Sequence, residues 1–226
     1  PYRLLGVYSN SPTKERLANH NRMKAFLKVG KPVSFPLDLP QYLSAIKRTE
    51  ASVMDAEAQL TLPKDQLLYA QFWFVKATRL NHLFAGEIDK AEEIWQKKDT
   101  ASSLQNRIVC ALMREDYRRA ITCAETLYGN SLYSNQFVSA VLGADGNADV
   151  ASLAFRFLDV LCDEAGANQL LPFITDDAWK SHVEEKAAKP LVDSIQDAIA
   201  IAKKSKGKEA EARLNAGEAL RENTRS

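Results

Sequence analysis

The feature of this sequence that most limits its possible folds is a short pattern that occurs twice. LFAGEIDKAEEIW, over residues 83–95, and LMREDYRRAITCA, over residues 112–124, align with Ala91 on Ala120, a spacing of 29 residues (120 − 91). Each copy indicates the end of one helix, a short turn, and a second helix with a small alanine near its start. Small residues let two antiparallel helices approach closely, and such pairs bury their apolar faces by stacking on neighbouring pairs. The pattern therefore predicts stacked helical hairpins.

Composition favours the same fold class for the whole chain. Hydrophobic residues make up 46% of the 226 residues, which is enough for a sizeable core, whereas there are only 9 Gly and 8 Pro. Alanine, leucine, glutamate and lysine are abundant, and these residues favour helices over strands. We therefore expect an all-α protein.

Charge and cysteine content argue against several classes of protein. The 30 Lys and Arg residues nearly balance the 29 Asp and Glu residues, so no global field attracts DNA or an anionic membrane. The three cysteines lack C-x-x-C spacing, and we expect them to be reduced structural thiols. No apolar run reaches about 18 residues and no signal-peptide core precedes Tyr2, which favours a cytoplasmic location.

Capping and stop signals predict the first helices. A Ser-Pro-Thr-Lys-Glu motif begins a helix over about residues 11–29, and Gly30 ends it. A second helix is predicted over about residues 41–60, with Arg48 facing solvent. The loop over residues 33–37 is apolar, so we expect it to fold back onto the helices that it joins.

Further helices follow along the chain. The aromatic segment 65–80 is apolar on all sides, so we expect it to lie between two layers. A helix is predicted over about residues 149–164, and another begins near Asp177. We expect Pro190 to kink or interrupt the latter helix. Beyond Lys203 the sequence is polar and predicts a solvated helix or a frayed tail.

The first 75 residues resemble the J domain, a helical co-chaperone module. YRLLGV, over residues 2–7, is similar to the first helix of that family, and the basic segment 11–27 is similar to its second helix. Further similar positions are Ala56, Leu60, Pro63 and Tyr69. In J domains the second helix and a His-Pro-Asp turn engage a DnaK-type chaperone and trigger ATP hydrolysis. Here Lys31-Pro32 replaces that tripeptide, so the resemblance implies a J-like scaffold without the stimulating activity.

Residues 71–142 resemble tetratricopeptide repeats, whose second helix begins with a similar GDYEEA pattern. The 29-residue spacing is shorter than the period of about 34 residues in that family. The resemblance implies a concave groove that receives a peptide or a helix of another protein.

No motif in the sequence indicates catalysis. The three histidines are scattered without an H-E-x-x-H arrangement, and no serine lies in a nucleophile elbow. The segment Gly143–Gly146 lacks the lysine and hydroxyl of a phosphate-binding loop. We therefore expect no enzymatic activity, no cofactor and no metal.

Together these observations predict a bacterial all-α protein in three parts. A J-like module over residues 1–75 packs on a short tetratricopeptide-like array over residues 76–142, and a helical extension covers residues 143–226. We expect non-catalytic binding of another protein or peptide, as a scaffold or co-chaperone-derived adaptor. The residues expected to bind the partner are Lys24, Lys28, Lys31, Tyr117 and Arg118.

The alternative function is that of an RNA- or ribosome-associated factor. In that case Lys24, Lys28, Lys31 and the lysines of segment 203–208 would contact phosphate groups. Aromatic residues do not interleave with these lysines, which argues against stacking on bases.

Overall fold

The structure is a computed structural model that describes residues 1–77 and 80–225. Within these ranges the regular structure is entirely helical, without a strand, which confirms the predicted all-α fold. Thr78 and Arg79, near the end of the aromatic segment predicted over residues 65–80, lie outside the described residues.

The chain forms two compact units, residues 1–180 and the segment from Ser181 onward. The module boundaries predicted at residues 75 and 142 stay predictions. Two short 3-10 helices cover Pro36–Asp38 and Leu171–Phe173. The α-helices are α1 (Thr13–Lys28), α2 (Glu50–Gln59), α3 (Pro63–Ala70), α4 (Asn81–Phe84), α5 (Ile88–Gln96), α6 (Ala101–Met113), α7 (Tyr117–Gly129), α8 (Ser131–Leu142), α9 (Val150–Ala165), α10 (Ala167–Leu170) and α11 (Asp177–Arg225).

The two copies of the repeated pattern adopt the same local structure. Gly86 and Glu115, which are equivalent in the alignment, both have a positive φ, at 82° and 56°. The closing backbone hydrogen bonds run from the amide of Glu87 to the carbonyl of His82 at 2.7 Å and from the amide of Asp116 to the carbonyl of Ala111 at 2.8 Å. This pattern is the Schellman helix end. It turns the chain from α4 into α5 and from α6 into α7.

Consecutive helices pack on one another from α5 to α8. Ala91 and Ala120 are both fully buried, as expected for small residues where helices meet closely. The buried carboxylate of Glu92 on α5 accepts hydrogen bonds from Arg114 at 3.1 Å and from Arg119 at 2.9 Å. Because these arginines lie at the end of α6 and on α7, the interaction ties the three helices together.

A buried amide network joins the end of α3 to α6. Residues 71–77 have no regular helix, although most of them are buried. The side chain of Asn106 accepts from the amide of Val75 at 2.8 Å and donates to its carbonyl at 3.0 Å. Gln105 donates to backbone carbonyls at the end of α3. Buried backbone groups need such partners, so these two side chains hold the non-helical segment in the core.

Arg48 organises the N-terminal part of the chain, and the prediction that it faces solvent is wrong. Its side chain is 3% exposed. The guanidinium donates to both carboxylate oxygens of Asp38 at 2.5 and 2.9 Å and lies 5.0 Å from the ring centre of Phe35. It also donates to three backbone carbonyls, two of them near the N-terminus. These bonds compensate the buried charge.

The helix predicted over residues 41–60 begins later than expected, because α2 starts at Glu50. The Thr49 hydroxyl accepts from the amide of Ser52 at 3.0 Å, and the Ser52 hydroxyl accepts from the amide of Thr49 at 2.9 Å. This reciprocal cap fixes the first turn of α2. The preceding residues are non-helical, and they carry Arg48 to its buried partners.

The loop over residues 33–37 packs onto the protein as predicted. Phe35 and Leu37 are buried. The Phe35 ring lies so close to Gly6 that a Cβ at this position would come within 2.4 Å of it, and Gly6 has a φ of +67°. Residues 2–7 resemble the first J-domain helix, but residues 2–6 form turns, and Gly6 leaves the helical region with its positive φ.

The C-terminal helices follow the predicted cap positions. Asp149 caps α9 by accepting from the amide of Ser152 at 3.4 Å, and Asp176 caps α11 by accepting from the amide of Trp179 at 3.1 Å. Of the two outcomes predicted at Pro190, the interruption does not occur, since α11 runs continuously from Asp177 to Arg225, and the kink stays a prediction. Pro190 and its neighbours are exposed, so water can satisfy the carbonyl group that loses its partner.

Candidate functional site

Three depressions lie along α1 and share residues. The middle one, of about 300 Å³, lies between α1 and α2. It shares His20 with a depression of about 450 Å³ and shares Leu27 with a depression of about 420 Å³ that reaches Lys31 and Lys47. Because α1 has 16 residues, the three depressions lie along a helix about 24 Å long. We call this region the α1 surface, formed by Thr13, Arg16, Leu17, His20, Lys24, Leu27 and Lys31, by Glu50, Val53, Met54 and Glu57 of α2, and by Lys47.

The α1 surface contains large apolar side chains that are exposed to solvent. Leu17 is 57% exposed and Met54 is 70% exposed. Only Met23 of α1 is fully buried, so this helix packs on the protein through a narrow contact. Methionine is flexible and polarisable and adapts to irregular partner surfaces. The region therefore offers apolar contact area to a partner.

Charge is distributed unevenly along the α1 surface. Helix α1 carries five Lys and Arg residues and one Glu, a net charge of +4 with His20 neutral. Towards its beginning, Arg16 and His20 lie 3.7 and 3.5 Å from the carboxylate of Glu57. Towards its end, an exposed basic cluster has no ion pair in the described part of the chain. This basic cluster consists of Lys24, Lys28, Lys31 and Lys47.

The structure brings three of the five predicted site residues to one place. Lys24, Lys28 and Lys31 are exposed at the end of α1. Tyr117 and Arg118 lie on α7, where Tyr117 is half-buried and the Arg118 guanidinium stacks 5.0 Å from the ring centre of Phe173. Neither of them lines the α1 surface.

Sequence reasoning missed the contribution of α2 to the α1 surface. Met54 follows Val53, which is buried in the core, and neighbouring residues on a helix point in different directions. The sequence signal for this exposed side chain was therefore a large apolar residue directly after a core position. Lys47 was missed because the predicted helix over residues 41–60 extended across it.

Two buried cysteines, Cys110 and Cys123, have thiols whose surroundings raise their pKa. Burial, with a further contribution from Glu92, raises the pKa of the Cys110 thiol, and burial also raises the pKa of Cys123. Both thiols therefore stay protonated at neutral pH, which disfavours nucleophilic chemistry. Among residues 1–77 and 80–225, no three His, Cys, Asp or Glu side chains are arranged to hold a metal ion.

The described helices also include none with the length and apolar character needed to cross a membrane. The feature that distinguishes the molecule is the open α1 surface, which combines three lysines of the basic cluster, Lys24, Lys31 and Lys47, with exposed apolar side chains. Lys28, the fourth, lies one helical turn after Lys24. Comparisons with protein-family models, with curated proteins and with solved structures found no match for this chain.

Proposed function

We propose that this chain is a non-catalytic adaptor and that its α1 surface binds an acidic, amphipathic segment of another protein. One observation carries the proposal: Lys24 of the basic cluster lines the same depression as the exposed side chain of Met54. Unpaired cations attract carboxylates, and the adjacent apolar side chains favour a partner that also supplies apolar groups.

The dimensions of the surface suit a short segment. A length of about 24 Å corresponds to roughly 16 residues of helix or about 7 residues of extended chain. Arg16 is already paired with Glu57, so the acidic residues of the partner are expected near Lys28 and Lys31 and its apolar residues near Met54. The acidic end of the partner segment is therefore expected at the C-terminal end of α1, which sets the direction of the bound segment.

A peptide-display selection against the full chain tests this proposal. We expect selected peptides to be enriched in Asp and Glu and to carry apolar residues at helical spacing. The double substitution Lys28→Glu and Lys31→Glu is expected to weaken binding of a selected peptide about tenfold or more, and Met54→Asp is expected to weaken it as well. Fluorescence anisotropy with the labelled peptide measures both changes.

The matched control is Lys64→Glu, which reverses another exposed lysine, on α3. It is expected to leave binding of the selected peptide unchanged. Selected peptides without acidic residues, or an equal loss of binding with Lys64→Glu, would contradict the proposed role of the α1 surface.

The RNA-binding alternative has one observation in its favour. The four lysines of segment 203–208 are all exposed on α11. Binding of a single-stranded RNA through such lysines would fall steeply as the salt concentration rises, because phosphate contacts release counterions. Filter binding of polyuridine at several salt concentrations, with and without charge reversal at Lys203 and Lys204, distinguishes this function from peptide binding.

A further inference from the structure

The part of α11 that belongs to the second unit carries an apolar stripe. Its four large members, Leu191, Val192, Ile195 and Ile199, are between 47% and 66% exposed. At about 100° per residue the stripe covers an arc of about 120°, the width of a helix face that packs against another element. The stripe consists of Ala188, Leu191, Val192, Ile195, Ala198, Ile199 and Ala202.

We propose that this stripe binds the same stripe of a second copy of the chain, with the two helices antiparallel. Residues 188, 191, 195, 198, 202 and 205 alternate spacings of three and four, which is the a and d pattern of a coiled coil. With the two-fold axis between Gln196 and Asp197, Leu191 lies opposite the partner's Ala202 and Ile195 lies opposite the partner's Ala198. The two large side chains at core positions, Leu191 and Ile195, then each meet a small one, as close packing requires. The stripe is therefore complementary to itself.

Charge along α11 selects the antiparallel orientation. Residues 181–202 contain four acidic residues and two lysines, a net charge of −2, whereas residues 203–208 contain four lysines. A parallel pair would place the two lysine segments side by side. In the antiparallel register they are apart, and each faces residues 185–190 of the other copy, which hold Glu185 with Lys186 and Lys189. In the proposed register Glu185 approaches the partner's Lys206, because both occupy e positions that flank the seam.

The same pattern limits the length of the seam. Continuing the spacing places Glu184 and Glu209 at the next core positions, where two buried carboxylates would be unfavourable. The seam therefore covers residues 188–205, about 27 Å of helix. A seam of this length with four large side chains from each copy is expected to give a micromolar rather than a nanomolar dimer.

Sedimentation equilibrium of the full chain tests the interface. We expect a reversible dimer, and we expect Ile195→Asp to raise its dissociation constant at least tenfold. Leu214→Asp is the matched control, because Leu214 is an exposed apolar residue of the same helix that lies outside the stripe, and it is expected to leave the dissociation constant unchanged. Circular dichroism verifies that both variants keep their helix content.

Charge reversal tests the orientation. Glu185→Lys and Lys206→Glu are each expected to weaken the dimer, and the double variant is expected to restore it. In a parallel dimer these two positions would be about 32 Å apart, and the double variant would not recover. A chain that remains monomeric at micromolar concentration, a dimer unaffected by Ile195→Asp, or a double variant without recovery would overturn the proposal.

Discussion

At the scale of single residues, one buried arginine determines how the N-terminal segment folds. Arg48 connects Asp38, the ring of Phe35 and three backbone carbonyls. No position within a helical turn of Arg48 supplies one of these partners. A local pattern therefore places this residue on the solvent side of a helix, whereas the structure uses it as the centre of a polar core.

Replacing this arginine tests its role in stability. We expect Arg48→Met to lower the free energy of unfolding by about 3–5 kcal/mol, because it leaves the carboxylate of Asp38 without its ion-pair partner. Lys47→Met removes the same charge from the exposed neighbouring residue, and its effect is expected to stay within about 0.5 kcal/mol. Urea unfolding followed by circular dichroism measures both values, and similar losses for the two variants would contradict the central role of Arg48.

Buried tyrosines near the N-terminus give stability a dependence on pH. Burial raises the pKa of Tyr2 and of Tyr8 to about 12, whereas an unfolded chain ionises its tyrosines near a pKa of about 10. Above that pH the unfolded state binds fewer protons than the folded state, so stability is complete below about pH 10 and falls as the pH rises towards 12.

Unfolding by urea between pH 9 and pH 12 measures this loss in the same buffer series. We expect Tyr8→Phe to make the decline in stability shallower, because it removes one of the groups whose pKa is raised in the folded state. A wild-type chain whose urea midpoint is constant up to pH 12 would show that these phenols are accessible to ionisation in the folded state.

At the scale of helices, the contacts around the repeated alanines leave no room for larger side chains. Ala120 is completely buried on α7. We expect Ala120→Leu to overpack the stack and to lower the free energy of unfolding by about 1–3 kcal/mol. The control is Ala151→Leu on the exposed face of α9, which changes helix propensity little. An unchanged thermal transition for Ala120→Leu would contradict the close approach of the helices.

The turn before α5 gives a second test at this scale. Gly86 has a φ of +82°, and Gly129 lies in helix α7 without a positive φ. We expect Gly86→Ala to destabilise the protein by about 1–2 kcal/mol and Gly129→Ala to stabilise it by about 0.5–1 kcal/mol. Thermal unfolding of the two variants measures the difference, and shifts of the same sign would argue against the left-handed turn at Gly86.

Helix ends could be predicted from sequence where the deciding residues are close together in the chain. Gly30 ends α1, and Asp149 and Asp176 cap α9 and α11 through residues three positions away. The non-helical segment after α3 could not be predicted, because its backbone partners are on α6, more than 30 residues away. Local signals thus set the boundaries of helices, and distant side chains decide where a helix-compatible sequence remains non-helical.

At the scale of the whole molecule, the basic part of the candidate site was predictable and its apolar part was not. Lys24, Lys28 and Lys31 belong to α1 and the turn after it, so their spacing already indicates a shared face. Met54 and Lys47 come from α2 and from the segment before it, and only the packing of α2 beside α1 brings them to the same surface.

The resemblance of the first 75 residues to J domains leads to a prediction for the full chain. In J domains a His-Pro-Asp turn after the second helix provides the polar contact with a DnaK-type chaperone. Here α1 is followed by Gly30, Lys31 and Pro32, and the next residues run into a loop whose Phe35 is buried against Gly6. The turn therefore offers no free histidine or aspartate, although the lysines at the end of α1 remain exposed.

We expect the full chain not to stimulate ATP hydrolysis by a DnaK-type chaperone. Single-turnover hydrolysis with and without this protein measures the effect, and an active J-domain protein provides the positive control. Lysines alone would give weak, salt-sensitive association without the contact that triggers hydrolysis, because exposed charges mainly accelerate encounter. An acceleration that disappears with Lys28→Glu and persists with Lys64→Glu would show that the end of α1 is sufficient for stimulation, and the adaptor function proposed for the α1 surface would then have to include a chaperone as its partner.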